Sequence, residues 1–228
     1  VGFSGDLSEF FAFVASDERF FYGNDENGRQ RYLDESTEYI ENMKALLPQY
    51  FGILPKADLV VKRVEAFREQ DGAAAHYFAS SPDGSVPGTY YVHLSDMTAN
   101  PVTELEAVAY HEGLPGHHMQ IAIARELESV PAFRSQAGFS AYSEGWALYT
   151  ELLAKEMGGY QDPYSDFGRL VSEMWRGVRL VVDTGIHAMG WSEQQAIDYF
   201  ASNVSTPLPS IVSEVRRYTV LPGQATSY

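Results

Sequence analysis

His111-Glu112-Gly113-Leu114-Pro115-Gly116-His117-His118-Met119-Gln120 is the stretch on which the reading of this chain turns. In the plain pattern H-E-x-x-H on one helix, two imidazoles a turn apart hold a zinc ion, and the glutamate beside the first acts as general base. Here the residue four beyond His111 is Pro115, which cannot ligate, and the next imidazole is His117. On an unbroken helix His117 would sit about 9 Å along the axis from His111 and about 120° round it. Two imidazole nitrogens on one zinc, each about 2.0–2.1 Å from it, must lie only a few ångströms apart. A regular helix therefore fails. Pro115 removes a backbone donor and clashes with the carbonyl of His111, and Gly116 tolerates positive φ, so the chain can loop out and resume. The expectation is a helix broken at 113–116, with His117 returned to the second ligand position and Glu112 as base. His118, about 10.5 Å away on a straight helix, is the weaker candidate. The plain alternative is a helix–loop–helix joint whose histidines bond to backbone.

A third ligand comes from the segment Ser140 to Leu153, which reads as a buried helix. Trp146, Tyr149 and Leu153 form one stripe at helical spacing, and Glu144 and Glu151 share another face with Ala147 and Leu148. A carboxylate among Ala141, Gly145 and Ala147 is odd for a solvated face, and small residues let a second helix approach closely. Two histidines, a glutamate and one open position make a catalytic zinc set. An ordinary salt-bridged glutamate is the alternative for Glu144 alone. Joined to His111 and His117, the metal reading is favoured.

The blocks H-E-x-x-P-G-H-H-x-Q from His111, Y-S-E-G-W-A-L-Y from Tyr142 to Tyr149, and R-Y-x-x-x-P-G-Q-A-x-x-Y from Arg217 to Tyr228 together resemble the bacterial domain-of-unknown-function 885 family. Gly88 to Val92 and Asp183 to Trp191 extend the likeness over most of the chain. That resemblance implies a metallopeptidase-like fold and a zinc site of the H-E-x-x-H-plus-glutamate, gluzincin-like kind. It implies no substrate. Members of the family are longer and carry the metal motif late, so residues 1–228 are expected to form one catalytic-type domain, the carboxy-terminal piece of a larger protein.

Composition narrows the partners. With 16 basic and 31 acidic residues the net charge is −15, which argues against nucleic acid and anionic membrane surfaces. No apolar run approaches the roughly 18–20 residues that span a bilayer. With no cysteine there is neither disulfide nor thiol ligand, and the compartment stays open, periplasmic, secreted and lipoprotein locations included. At 228 residues, 45% hydrophobic, the chain can bury one substantial core.

Residues 7–20 read as a short aromatic helix. Residues 29–50 read as an amphipathic one, with Tyr32, Tyr39, Ile40, Met43, Leu46 and Leu47 inward. Strands are expected at 59–67, 73–80 and 89–94, and helices at 103–114, 118–128, 140–157, 163–189, 192–203 and about 207–219. The class is α+β, mostly α: a small antiparallel sheet, then a helical bundle carrying the metal helix.

The strand Thr89–Leu94 precedes that helix. In thermolysin-like folds the corresponding strand is the edge on which an extended peptide pairs, which makes Tyr90 and Tyr91 candidate substrate contacts; plain core packing is the alternative. Asp183 and His187 are four apart, so the carboxylate can orient an imidazole aimed at a developing oxyanion, unless His187 merely complements a helix end. Tyr218 is a candidate oxyanion donor, and Arg217 can pair with a substrate carboxylate. The turn Pro222-Gly223-Gln224 would present Gln224 or Tyr228. Two function classes follow. One is a zinc-dependent peptidase or amide hydrolase acting on a peptide or small amide; the other is an inactive peptide-binding module of the same fold. Glu112 favours the first, since a binding module has no use for it.

Overall fold

The computed structural model describes residues 2–128 and 130–228. Helix α1, Leu7–Ser16, starts at a capping box in which Asp6 Oδ1 accepts from the Glu9 amide at 2.8 Å and Glu9 Oε2 accepts from the Asp6 amide at 2.8 Å. It ends earlier than expected, because Asp17 turns extended and caps a 3-10 turn over Glu18–Phe20. Helix α2, Glu26–Tyr50, is capped by Asp25 and buries Tyr32, Ile40, Met43 and Leu47, with Tyr39 and Leu46 packed beside them.

Three short strands follow: β1 Leu59–Arg63, β2 His76–Phe78 and β3 Gly88–Val92. Their order is β1-β3-β2; β1 runs parallel to β3 and β2 antiparallel to it. The α+β, mostly α class stands, while the sheet is mixed rather than antiparallel. β3 is also not an edge. Tyr90 pairs with Val61 on one side and Tyr77 on the other, so both ladders of β3 are filled. A peptide could add only at an outer strand.

The helical part comprises α3 Val102–Glu112, α4 His117–Glu126, α5 Ala132–Gln136, α6 Ser140–Glu156, α7 Pro163–Met189, α8 Glu193–Ala201 and α9 Leu208–Val220. One core joins α2, α3, the sheet and the end of α6; a second joins α7, α8 and α9. The aromatic residues of α1 form a third, with Phe10 edge-on to Phe167 of α7 at 4.8 Å. α6 is less buried than its sequence suggests, with Tyr142 68% and Tyr149 50% exposed. Among the described residues no helix is long and apolar enough to cross a membrane.

α3 lies at the centre, held by buried polar contacts. Glu106 accepts from the Tyr110 hydroxyl at 2.8 Å, from the Tyr160 amide at 2.7 Å and from the Ser165 hydroxyl. The last ties α3 to α7 and the second ties it to the loop before α7, and together the three satisfy a carboxylate that would otherwise be costly to bury. The helices touch at Gly168, where any Cβ would overlap the carbonyl of Thr103. Gly168→Ala should therefore lower stability by roughly 3 kcal/mol, the upper part of the overpacking range. Gly177→Ala on the same helix, with open space around it, should raise stability by about 0.5–1 kcal/mol through helix propensity. Urea denaturation of both variants checks this; equal effects would refute the close-packing account.

Candidate functional site

α3 ends at Glu112 and α4 begins at His117, so the helix is interrupted at 113–116, with Leu114–Pro115 a cis peptide. The reason for Gly116 differs from the one expected. Its φ is −75°, an ordinary value, but a Cβ there would overlap the carbonyl oxygens of Tyr110 and His111. Close approach of backbone to backbone, not positive φ, requires glycine. The fold-back brings the His111 and His117 rings to 4.8 Å, nearly perpendicular at 87°.

α6 is fastened to this turn. Trp146 Nε1 donates to the Pro115 carbonyl at 3.0 Å, and Gln120 Nε2 donates to the Tyr142 carbonyl at 3.1 Å. These bonds set Glu144, whose Oε2 is 3.5 Å from Nε2 of both His111 and His117. The ligand atoms of all three residues lie within 4.8 Å of one another.

Hydrogen bonding decides which nitrogens are offered. Glu151, one heptad after Glu144, is 2.7 Å from His111 Nδ1. A carboxylate only accepts, so Nδ1 carries the hydrogen toward Glu151, and Nε2 is the nitrogen that faces Glu144. Arg176 of α7 donates to the same Glu151 oxygen at 3.2 Å. Burial pushes the carboxyls of Glu151 and Glu144 upward. Arg176 and His111 outweigh it at Glu151, as His111 and His117 do at Glu144, and both pKa values end below the ordinary range. The 3.5 Å separations exceed the ~2.7–2.9 Å of a charge-assisted hydrogen bond. They match the edge of a tetrahedron with bonds of about 2.1 Å, which is about 3.4 Å. The histidine pair lies within 4.8 Å, so the three residues could hold one metal ion, with Glu151 orienting the His111 ring.

Glu112 is buried beside this triad, and its Oε2 has no partner. Burial drives its pKa up to about 7, against the pull of His117. His118 faces away. Its Nδ1 meets the Tyr77 hydroxyl and its Nε2 the Ala57 carbonyl, each at 3.0 Å, so it pins α4 to the sheet. A cleft of about 1240 Å³ opens over the triad, lined also by Ala73–Tyr77 leading into β2, by Arg176 and Arg179, and by Gln224 and Tyr228.

Several candidates lie elsewhere. Tyr90 is 0% exposed and Tyr91 stacks on His76 at 5.4 Å; neither lines the cleft, because β3 is the central strand. His187 is exposed outside the cleft, with Nε2 at 2.9 Å from the Tyr218 carbonyl. Asp183, expected to orient it, instead accepts from the Gly223 amide at 3.0 Å. The Tyr218 hydroxyl is sealed in the second core, accepting from Trp175 Nε1 at 3.1 Å. Tyr228, which the final turn presents, lines the cleft: its ring lies 6.5 Å from that of His111, with the Arg176 and Arg179 guanidiniums 5.2 and 4.1 Å from its centre. Arg217 does line the cleft, donating to Glu214 from Nε at 2.9 Å and from Nη2 at 2.7 Å. Glu151, Arg176 and Arg179 carried no role in the sequence reading. The heptad from Glu144 to Glu151 was their one visible signal.

A family model described as a bacterial protein of unknown function, DUF885, matches residues 1–228. A solved protein of Colwellia psychrerythraea, provisionally described as a lipoprotein, superposes with a TM-score of 0.93 at 38% identity, over 99% of this chain and 39% of its own. A second, a protein of unknown function from Shewanella oneidensis with the same provisional description, shares the fold with a TM-score of 0.75 at 22% identity, over 100% of this chain and 42% of its own. The chain thus spans about two fifths of these structures. No curated protein matches it.

Gly116→Ala is expected to force the two helix ends apart. Stability should fall by roughly 3 kcal/mol or more, and the His111 and His117 imidazole signals in NMR should shift together. A variant as stable as the parent, with unmoved imidazoles, would contradict the close-approach account.

Proposed function

This chain belongs to the DUF885 family of bacterial proteins of unknown function, and we propose that it carries the catalytic site of a zinc-dependent peptidase or amide hydrolase. The observation that carries this reading is the carboxylate left over. Glu144 converges with the two histidines and Glu151 orients His111, whereas Glu112 reaches the same cleft with Oε2 unpartnered. A peptide-binding module would gain nothing from burying it there, at the cost that unpaired burial carries.

Held by His111, His117 and Glu144, zinc would supply an acidified water and a Lewis-acid contact for a carbonyl oxygen. The other tasks fall to the chain itself. Glu112, with a pKa near 7, takes a proton on its carboxylate and returns it to the departing nitrogen. Glu151 keeps the Nδ1 hydrogen of His111 in place, and Arg176 keeps Glu151 charged. The Tyr228 hydroxyl is the candidate donor to the oxyanion, its ring steadied by two guanidiniums. Ala73–Tyr77, ending on outer strand β2, is the stretch of cleft-lining backbone along which an extended peptide can pair. Likeness to proteins provisionally described as lipoproteins supports an exported or lipid-anchored location for the whole protein, to which the activity is assigned.

Zinc content and peptide hydrolysis of the intact protein test the reading together. Glu112→Gln should retain zinc by elemental analysis while losing about 10²–10⁴ in kcat. Glu144→Ala should lose the metal, and Glu151→Gln should weaken its binding about 10- to 100-fold. Full activity in the Glu112 variant, or zinc retained without Glu144, would end the proposal.

A further inference from the structure

The α7–α9 side of the cleft carries four arginines, Arg176, Arg179, Arg216 and Arg217, in a chain with 16 basic against 31 acidic residues. Three of them are matched with acids: Arg176 with Glu151 at 3.2 Å, Arg216 with Glu193 at 2.9 Å and Arg217 with Glu214 at 2.7 Å. Arg179 is not. Among the described residues no carboxylate stands within 4.0 Å of it, although its side chain sits in a residue only 3% exposed. Its Nη2 donates to the neutral Gln224 amide oxygen at 2.9 Å, its guanidinium lies over the rings of Tyr218 and Tyr228, and its Nε is buried without a partner. A guanidinium has five donors in a planar fork suited to a carboxylate, and burying one without a counter-charge is costly. The attraction of Glu214 reaches it only from beyond 4.0 Å, and that carboxylate is already forked by Arg217, so a substrate anion in the cleft would be the first to meet Arg179 directly.

The geometry points to Arg179 as the anchor for a substrate carboxylate lying one residue beyond the bond to be cut, an inference that rests on the peptidase reading for its position. The path from the triad is short: 6.5 Å from the His111 ring to the Tyr228 ring, then 4.1 Å from that ring to the Arg179 guanidinium. One extended residue spans about 3.3–3.6 Å, and an arginine–carboxylate contact adds about 2.7–2.9 Å. That reach is shorter than the two legs together but exceeds the second, so a scissile carbonyl that meets the Tyr228 hydroxyl, already past the first leg, lets the carboxylate of the following residue reach Arg179. A chain that continued as an amide would leave the cation unpaired. Hydrolysis adds one water across the last peptide bond and leaves a shortened peptide acid and one free amino acid. Gln224 sets the arrangement, since its oxygen accepts from Arg179 at 2.9 Å and from Arg217 at 2.8 Å without neutralising either.

Binding is measured by calorimetry on the intact, zinc-loaded protein carrying Glu112→Gln, with three probes: N-acetyl-trialanine as free acid, its C-terminal amide, and N-acetyl-Ala-Ala-Glu amide. The acid should bind roughly 30-fold or more tighter than its amide. That ratio should collapse toward one in Arg179→Gln. It should collapse equally in Gln224→Glu, which supplies a competing carboxylate with little change in shape and serves if the arginine variant fails to fold. Equal binding of acid and amide, or a preference surviving both substitutions, overturns the subsite. Tight binding of the glutamyl amide keeps the subsite and overturns its assignment to the chain terminus in favour of an acidic side chain. Release of free alanine is followed in protein with Glu112 intact. No hydrolysis with the acid preference intact would end the peptidase reading and leave the subsite standing. Equal hydrolysis of acid and amide would do the reverse.

Discussion

Five residues separate two imidazoles whose rings end 4.8 Å apart, and the backbone between them closes that gap only where no Cβ stands. Gly116 lies against the carbonyls of Tyr110 and His111, and this contact lets α4 restart beside the end of α3 instead of beyond it. What surrounds the turn depends on it. The Pro115 carbonyl turns toward Trp146 and thereby locates Glu144 two residues earlier on α6. His118, next to His117, reaches back to Ala57 and Tyr77 and locks the far side of α4 to the sheet. One backbone approach orders three elements.

Electrostatics then decides what the assembled cleft can hold. The triad sets a carboxylate oxygen 3.5 Å from two imidazole nitrogens, an arrangement that could hold a metal ion. Around it the acids are paired in sequence: Glu151 with His111 and Arg176, Glu214 with Arg217, Glu106 with three neutral donors. Each pairing offsets part of the cost of burial. Among the buried atoms without a partner, Glu112 Oε2 and Arg179 Nε belong to residues lining the cleft, as do His117 Nδ1, Glu151 Oε2 and Arg176 Nε. In a chain of net charge −15, unpaired polar atoms of both signs in one cavity are a better guide to chemistry than the overall balance.

The legible parts of the sequence were those with local causes. Periodicity marked α2 and its inward residues, and the Pro-Gly pair announced the break between Glu112 and His117. The acid-among-small-residues pattern singled out Glu144, which the structure brings beside both histidines. Errors gathered where the cause was remote. β3 was read as an edge by likeness to thermolysin-like folds; a strand was expected at 73–80, but that β2 pairs on the far side of β3 is a matter of strand order, which alternation does not record. Tyr90 and Tyr91 followed that strand into the wrong surroundings. His187 was paired with Asp183 on spacing alone, whereas Asp183 caps the Gly223 amide from the final turn. Tyr218 and Tyr228 are alike as sequence. Only packing seals the first beneath Trp175 and stacks the second on His111.

By itself, then, the sequence determined the class of the fold, the interruption of the central helix and the residue types able to meet there, since backbone sterics and side-chain period act within a few residues. The tertiary structure alone decided which strand is exposed, which tyrosine faces the triad and which arginine of the cleft has no carboxylate within 4.0 Å among the described residues. Those outcomes depend on contacts between residues tens of positions apart, such as Arg179 with Gln224 and His111 with Glu151. No local pattern records such contacts, because their energy exists only once the chain has closed around them.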